Sequence, residues 1–252
     1  MSQTIAILNQ KGGVGKTTTA INLAAYLQKL GKSVLLVDLD PQGNATSGLG
    51  IDKTTVDSGT YELLLGQIQL ADAIKPVHDS GIFIVPTNAN LAAVEVELVN
   101  KPNREQALKA ALGKAAYDYV LIDCPPALSL LTINALTAAD SIIIPVQAEY
   151  YALEGLGQLL QVFQQVKGGL NPQLEIMGVV VTMYDSRTSL SDQVLKELQK
   201  HFADKLFKTV IPRNVRLAEA PSYGQSIMQH DKWSKGARAY KQLAKEVVER
   251  GN

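Results

Sequence analysis

The sequence predicts an α/β fold: a single doubly wound, mostly parallel sheet with helices on both faces, built by residues 1–252 as one domain. Three observations carry that expectation. Short apolar runs rich in Val and Ile alternate with longer stretches of helical period. The runs lack the in–out alternation of a half-exposed strand, as strands covered on both faces do. No internal repeat and no Pro/Gly/Ser linker divides the chain.

Taken in order, the runs at 4–8, 33–37, 82–85, 119–122, 141–146, 176–182 and 207–211 read as strands, most flanked by Gly, Pro or Asp. Helical period falls at about 16–30, 91–98, 102–115, 129–138, 153–167, 189–201 and 234–249. The last helix offers Ser234 as N-cap and sets Ala237, Tyr240, Leu243, Ala244, Val247 and Val248 on one face. Strand–helix alternation implies right-handed crossovers.

Composition narrows the function classes. The chain has 252 residues, 46% of them hydrophobic, enough for a core on both sides of a sheet. Its single cysteine, Cys124, excludes a disulfide framework and fits a reducing cytoplasm. His78, His201 and His230 lie far apart with no cysteine nearby, so no zinc site is expected. The N-terminus has neither a charged n-region nor a long apolar stretch, so neither a signal peptide nor a membrane span is expected there. Formal net charge is zero, but its distribution is uneven. Residues 1–180 carry 11 Lys/Arg against 16 Asp/Glu, and residues 181–252 carry 13 against 8. The basic last third is either a nucleic-acid surface or a solvated face.

The chemistry concentrates after the first strand. Gly12-Gly-Val-Gly15-Lys16-Thr17 lies between the strand 4–8 and an apolar-faced helix, the context a phosphate-binding loop needs. Gly12, Gly13, Val14 and Gly15 let backbone N–H groups turn around phosphate oxygens, and the helix start at Lys16, Thr17 and Thr18 adds its dipole. Lys16 suits the β- and γ-phosphates, and the Thr17 hydroxyl suits Mg²⁺. The ordinary loop begins with glycine; here that position is Lys11. Two further strands end in acids: Asp38 and Asp40 after 33–37, and Asp123 after 119–122. Ligands sit at the carboxyl ends of parallel strands, so these acids are candidates for Mg²⁺ coordination and water positioning, Asp123 as the Walker B acid. Ordinary turn acids are the alternative. Cys124 reads as a small buried neighbour of Asp123, since no histidine is placed to activate it.

With those residues in view, the chain resembles the ParA/Soj partition ATPases, a deviant Walker P-loop family. The resemblance lies in residues 11–18, Val37-Asp-Leu-Asp-Pro-Gln-Gly-Asn44, Asp123-Cys-Pro-Pro126, residues 145–155 and residues 211–221, and so covers nearly the whole chain. It is nearest the short chromosomal Soj type without an N-terminal helix-turn-helix arm, for which a first strand at about residue 4 leaves no room. The resemblance implies that Lys11 is the signature lysine, reaching the phosphates held by the other subunit of an ATP-bound homodimer. It implies that Asp40 positions water, and that Asp38 lies near Mg²⁺. It further implies that residues 212–221 frame the adenine, with Pro212 and Asn214 as base contacts; a Pro-punctuated connection is the other reading. Arg187 matches an arginine that the Soj group uses on DNA, and Arg216 is a second candidate; solvated arginines are the alternative for each.

The function so implied is an ATP- and Mg²⁺-dependent dimerising switch in the cytoplasm, associated with the nucleoid when ATP-bound. It would bind double-stranded DNA without sequence preference, hydrolyse ATP slowly and respond to a ParB/Spo0J-like activator. Other readings each require features of their own. A MinD-like relative would end in an amphipathic membrane helix, and the mixed-charge tail 241–252 does not look like one, so no membrane is expected. An iron–sulfur reductase needs more cysteines. A P-loop synthetase needs an acceptor pocket that the sequence does not reveal. A family member that positions a protein cargo stays open.

Overall fold

A computed structural model describes residues 2–113, 115–149 and 154–251. Residues 150–153, part of the stretch 145–155 that carries the family resemblance and including the start expected for the helix 153–167, lie outside the described residues, as does residue 114 of the expected helix 102–115. Among the described residues seven strands form one sheet: β1 (Gln3–Ile7), β2 (Val34–Asp38), β3 (Lys75–Pro76), β4 (Phe83–Val85), β5 (Tyr119–Asp123), β6 (Ser141–Gln147) and β7 (Glu175–Thr182). Their order is β3-β4-β2-β5-β1-β6-β7. Every pairing is parallel except that of the two-residue edge strand β3 with β4. The chain leaves β1 towards β2 and β4, then returns through β5 to reach β6 and β7. That reversal lies beside β1, the position where open parallel sheets bind ligands.

Among the described residues twelve α-helices connect the strands or follow the last of them. The first half holds α1 (Lys16–Lys29), α2 (Asn44–Gly48), α3 (Thr60–Leu65), α4 (Leu70–Ala73), α5 (Val94–Leu98) and α6 (Ala107–Leu112). The second holds α7 (Leu130–Ala138), α8 (Glu154–Gly169), α9 (Ser189–Phe202), α10 (Val215–Glu219), α11 (Ile227–His230) and α12 (Lys235–Arg250). Alternate residues of each central strand enter opposite cores. Ala6 and Leu8 join α7 and α8 on one side; Ile5 and Ile7 join α1 and α12 on the other. Burial on both faces explains the unbroken apolar runs. Ser234 caps α12 by accepting from Ala237 N–H, and its expected apolar face packs on α1, where the Thr19 and Tyr240 hydroxyls meet at 3.1 Å.

Three expectations change in detail. The run 207–211 is not a strand. Phe207 and Ile211 donate to the carbonyls of Val179 and Val181 on β7, but between them the Glu246 carboxylate of α12 accepts from Lys208 N–H at 2.9 Å and Thr209 N–H at 3.0 Å. A buried carboxylate thus satisfies the backbone groups that a strand neighbour would have taken. The helix 91–98 begins as a 3₁₀ turn, Ala89–Ala93, before α5, and 102–115 divides into a 3₁₀ turn at Arg104–Gln106 and α6. Gly113 and the turn at Asn103, with φ near +54°, set those limits. The short helices α2, α3, α4, α10 and α11 have too few turns to show a period in the sequence.

Candidate nucleotide site

The glycine-rich loop sits between β1 and α1 at the carboxyl edge of the sheet. Gly13 (φ +75°) and Gly15 (φ +90°) take the left-handed conformation that side chains resist. At Gly12 and Gly13 an added Cβ would meet nothing within 4 Å, so the space over the loop is open. Val14 is buried and anchors the loop, its carbonyl accepting from the Thr182 hydroxyl at 2.8 Å. α1 starts with no side-chain cap and no acid in its first turn, which leaves its N–H groups and positive dipole end for an anion.

The two loop lysines are placed oppositely. Lys16 is 7% exposed, and its ammonium donates to the Lys11 carbonyl at 3.2 Å. Burial holds its pKa below the usual lysine range, with nearby Asp123 the strongest opposing influence. The Lys11 side chain instead turns outward, 40% exposed, and its ammonium meets Glu149 Oε2 at 2.9 Å. One lysine therefore stands inside the cradle and the other on its rim. Thr17 and Thr18 are half-buried at the helix start.

The three acids gather beside Lys16 but have different surroundings. Asp38 and Asp123 are in register on neighbouring strands β2 and β5, and both are wholly buried. Asp38 Oδ2 accepts from Thr46 N–H at 2.8 Å and from the Thr46 hydroxyl at 2.6 Å, and its Oδ1 accepts from Asp40 N–H at 3.3 Å. Burial nonetheless pushes its carboxyl up to about 6. Neither oxygen of Asp123 has a hydrogen-bond partner among the described residues. Burial, and then Asp38, raise its pKa well above the ordinary range, while Thr17 and Lys16 pull the other way. Asp40 heads the loop to α2, with Oδ1 accepting from Gln42 N–H at 2.9 Å. Burial and Asp123 also raise the Cys124 thiol well above its ordinary pKa, which keeps it protonated and unreactive.

Two buried carboxylates, one of them unpartnered, beside a threonine and an open phosphate cradle fit Mg²⁺. That ion prefers one or two carboxylates completed by phosphate oxygens and water to an all-protein cage. Accordingly, the described residues contain no group of three or more His, Cys, Asp or Glu placed to hold a metal by themselves.

Beyond Gly15 and Thr18 lies a cavity of about 360 Å³, mostly apolar, lined by Pro212 and Asn214 together with Thr182, Met183, Leu217 and Tyr240 among others. Its composition suits a flat aromatic base. Asn214 Oδ1 caps α10 by accepting from Leu217 N–H at 3.3 Å, leaving its amide nitrogen as a donor. Sequence reasoning missed Thr182, Met183 and Tyr240. Thr182 ends a parallel strand, which was a usable signal. Met183 holds φ +52°, which nothing in the sequence announces, and Tyr240 was legible only as a core residue. Thr46 and Glu149 were missed as well; their partners Asp38 and Lys11 lie 8 and 138 residues away, and no motif links either pair.

The two arginines suggested for DNA are both exposed and both paired with acids. Arg187 is 84% exposed in the turn before α9 and grips Asp185 through Nε at 2.8 Å and Nη2 at 2.6 Å. Arg216 on α10 pairs with Glu219 at 2.9 Å and approaches Asp231 at 3.8 Å. Both cations are thus partly offset by carboxylates on their own chain.

Comparison with known proteins matches residues 2–176 to a family model described as an AAA domain. The sporulation initiation inhibitor protein Soj of Bacillus subtilis is 56% identical over the whole of both chains. The chromosome partitioning protein ParA of Caulobacter vibrioides is 50% identical over 98% of this chain and 94% of its own. Among solved structures, a cobyrinic acid a,c-diamide synthase from Mycobacterium smegmatis with bound ADP and magnesium superposes at a TM-score of 0.85, with 39% identity over 100% of this chain and 96% of its own. The septum site-determining protein MinD from Pyrococcus horikoshii, complexed with Mg-ADP, superposes at 0.79, with 27% identity over 100% and 98% of the two chains.

Proposed function

We infer function from one premise: the chain belongs to the ParA/Soj family of chromosome-partitioning ATPases. The reading beyond that premise is an ATP-controlled dimer that binds DNA without sequence preference and lets go after hydrolysis. One observation supports it above the others. Lys16 points into the cradle while Lys11, five residues earlier, points away from it. A lysine on the rim cannot serve its own loop's phosphate without swinging inward, whereas in an ATP-bound dimer it would be free to turn to the nucleotide of the second copy. Hydrolysis then depends on dimerisation, because the second cation that offsets charge on the γ-phosphoryl group arrives only with the partner.

The chain's own residues divide the work. Loop N–H groups of residues 12–17 and the Lys16 ammonium hold the phosphates. Pro212 and Asn214 hold the base, with Thr182, Met183 and Tyr240. Thr17, Asp38 and Asp123 are the residues that would hold Mg²⁺, which would supply positive charge against that of the phosphates. Asp40, whose backbone N–H donates to Asp38 Oδ1, orients the attacking water by accepting a hydrogen bond from it. No strong base is needed, since phosphoryl transfer depends on positioning and charge.

DNA binding rests on Arg187, Arg216 and the basic last third of the chain. Dimerisation pairs two weak patches and so makes binding switchable by ATP. A ParB/Spo0J-like protein is the proposed activator, and the nucleoid the proposed site of the ATP-bound form. The synthase-named neighbour shares the fold, but its 39% identity falls below the 56% and 50% of the partition relatives. Among the described residues no helix is long and apolar enough to cross a membrane, and the apolar face of α12 is spent on α1.

The deciding experiment measures retention of duplex DNA and of anionic vesicles with ATP, with ADP and with neither. ATP-dependent retention of random and genomic DNA alike is expected. Binding to vesicles instead would establish a membrane role, and binding to neither would leave a protein cargo.

A further inference from the structure

The Lys11 backbone is clamped from both sides. Its N–H donates to Asn9 Oδ1 at 3.0 Å, and its carbonyl accepts from the Lys16 ammonium at 3.2 Å. Asn9 is itself fixed, donating through Nδ2 to the Pro145 carbonyl at 2.8 Å on β6. Only the Lys11 side chain is left to move, and it is not loose in solvent. Glu149, just past the end of β6, holds its ammonium through Oε2 at 2.9 Å. The other oxygen, Oε1, accepts from Gln147 Nε2 at 2.5 Å, and Glu149 N–H donates to the Gln147 carbonyl at 2.8 Å. The carboxylate is therefore oriented in advance, with one oxygen tied to the sheet and one given to Lys11. With side chains 40% and 46% exposed, the pair is open enough to exchange partners and weak enough to break.

We propose that Glu149, oriented by Gln147, is a latch that holds Lys11 on its own subunit and must release it before Lys11 can reach a nucleotide on a second copy. The latch rests on the dimer reading above and adds a regulatory residue to it. An ammonium shared between a carboxylate and a triphosphate would bring two like charges together, so phosphate capture and latch closure compete. Each dimer requires two latches to open. The latch sets how much protein and ATP are needed for assembly, without touching the reacting atoms. Glu149 is a positioning residue in this scheme.

The test compares dimer dissociation constants by light scattering, with Mg²⁺ and a non-hydrolysable ATP analogue. Glu149→Gln keeps the shape and can still accept from Gln147, but removes the charge. It is expected to tighten the dimer by about 2- to 20-fold, two exposed ion pairs being lost per assembly. The gap from wild type should shrink when salt is raised from about 50 to about 500 mM, since screening weakens the latch already. ADP affinity of the monomer should stay unchanged. Gln147→Ala leaves the charge in place but frees the carboxylate, and should tighten the dimer by a smaller factor. Tightening in Glu149→Gln alone would reduce Glu149 to simple repulsion and overturn the latch. Unchanged or weaker dimers, or a shift indifferent to salt, would overturn it too. A wild-type protein that stays monomeric with the analogue would sink the dimer reading itself, and the latch with it.

Discussion

Asp38 and Asp123 stand opposite each other at the ends of adjacent parallel strands, and both are wholly buried. Burial raises both, Asp38 to about 6 from an ordinary value near 3.8. A folded-state pKa above the unfolded one means that ionisation is penalised in the fold. For Asp38 that contribution is fully present below about pH 4 and is lost as pH rises through about 6, on the order of 3 kcal/mol in all. A cation bound between the two carboxylates would relieve that penalty.

Asp123→Asn should consequently raise the melting temperature of the nucleotide-free protein at about pH 7.5 by roughly 4 to 10 °C and do little at about pH 4. It should also abolish the extra stabilisation that Mg²⁺ adds to ATP. Differential scanning calorimetry at the two pH values, with and without Mg²⁺, measures both. A variant less stable than wild type at the higher pH would show that Asp123 is held ionised by something other than a metal.

Lys16→Ala should eliminate nucleotide-dependent dimerisation, because the loop would then face the β- and γ-phosphates with no buried cation. It also removes the donor to the Lys11 carbonyl. Light scattering with ATP reads the dimer fraction; dimers at the wild-type level would mean another lysine fills the cradle.

Asp40→Ala should retain ATP and trap the dimer while hydrolysis falls by at least ~10²-fold, the usual loss for one positioned catalytic group. Single-turnover phosphate release measures it. Undiminished turnover would move the role to another acid, with Asp38 next to be tested.

Arg187→Ala should weaken DNA binding without reducing dimerisation, and make the log–log salt dependence shallower by about 1 to 2, one or two phosphate contacts per dimer. Because Asp185 occupies two guanidinium nitrogens, Asp185→Ala should act in the opposite direction and strengthen binding. Filter retention over a salt series follows both variants. Equal effects of the two substitutions would show that the turn matters as structure and not as charge.

Sequence alone determined the parts of this protein that local chemistry dictates. Six of the seven expected strands are strands because an unbroken Val/Ile run has few alternatives once both faces are covered. The loop from Lys11 to Thr18 was readable because left-handed backbone at Gly13 and Gly15 needs glycine, and a phosphate needs a lysine at a set distance from the helix start. Only tertiary structure decided what depends on partners far apart in the chain. The run 207–211 has strand composition, but Glu246 took its backbone N–H groups. Asp38, Asp40 and Asp123 all look like strand-end acids in one dimension; register and Thr46 make the first a buried, hydrogen-bonded anchor and leave the last unpartnered. Lys11 and Glu149 are 138 residues apart, and no periodicity or motif relates them. Packing brings β6 alongside β1, and that adjacency gives Lys11 an anion on its own chain.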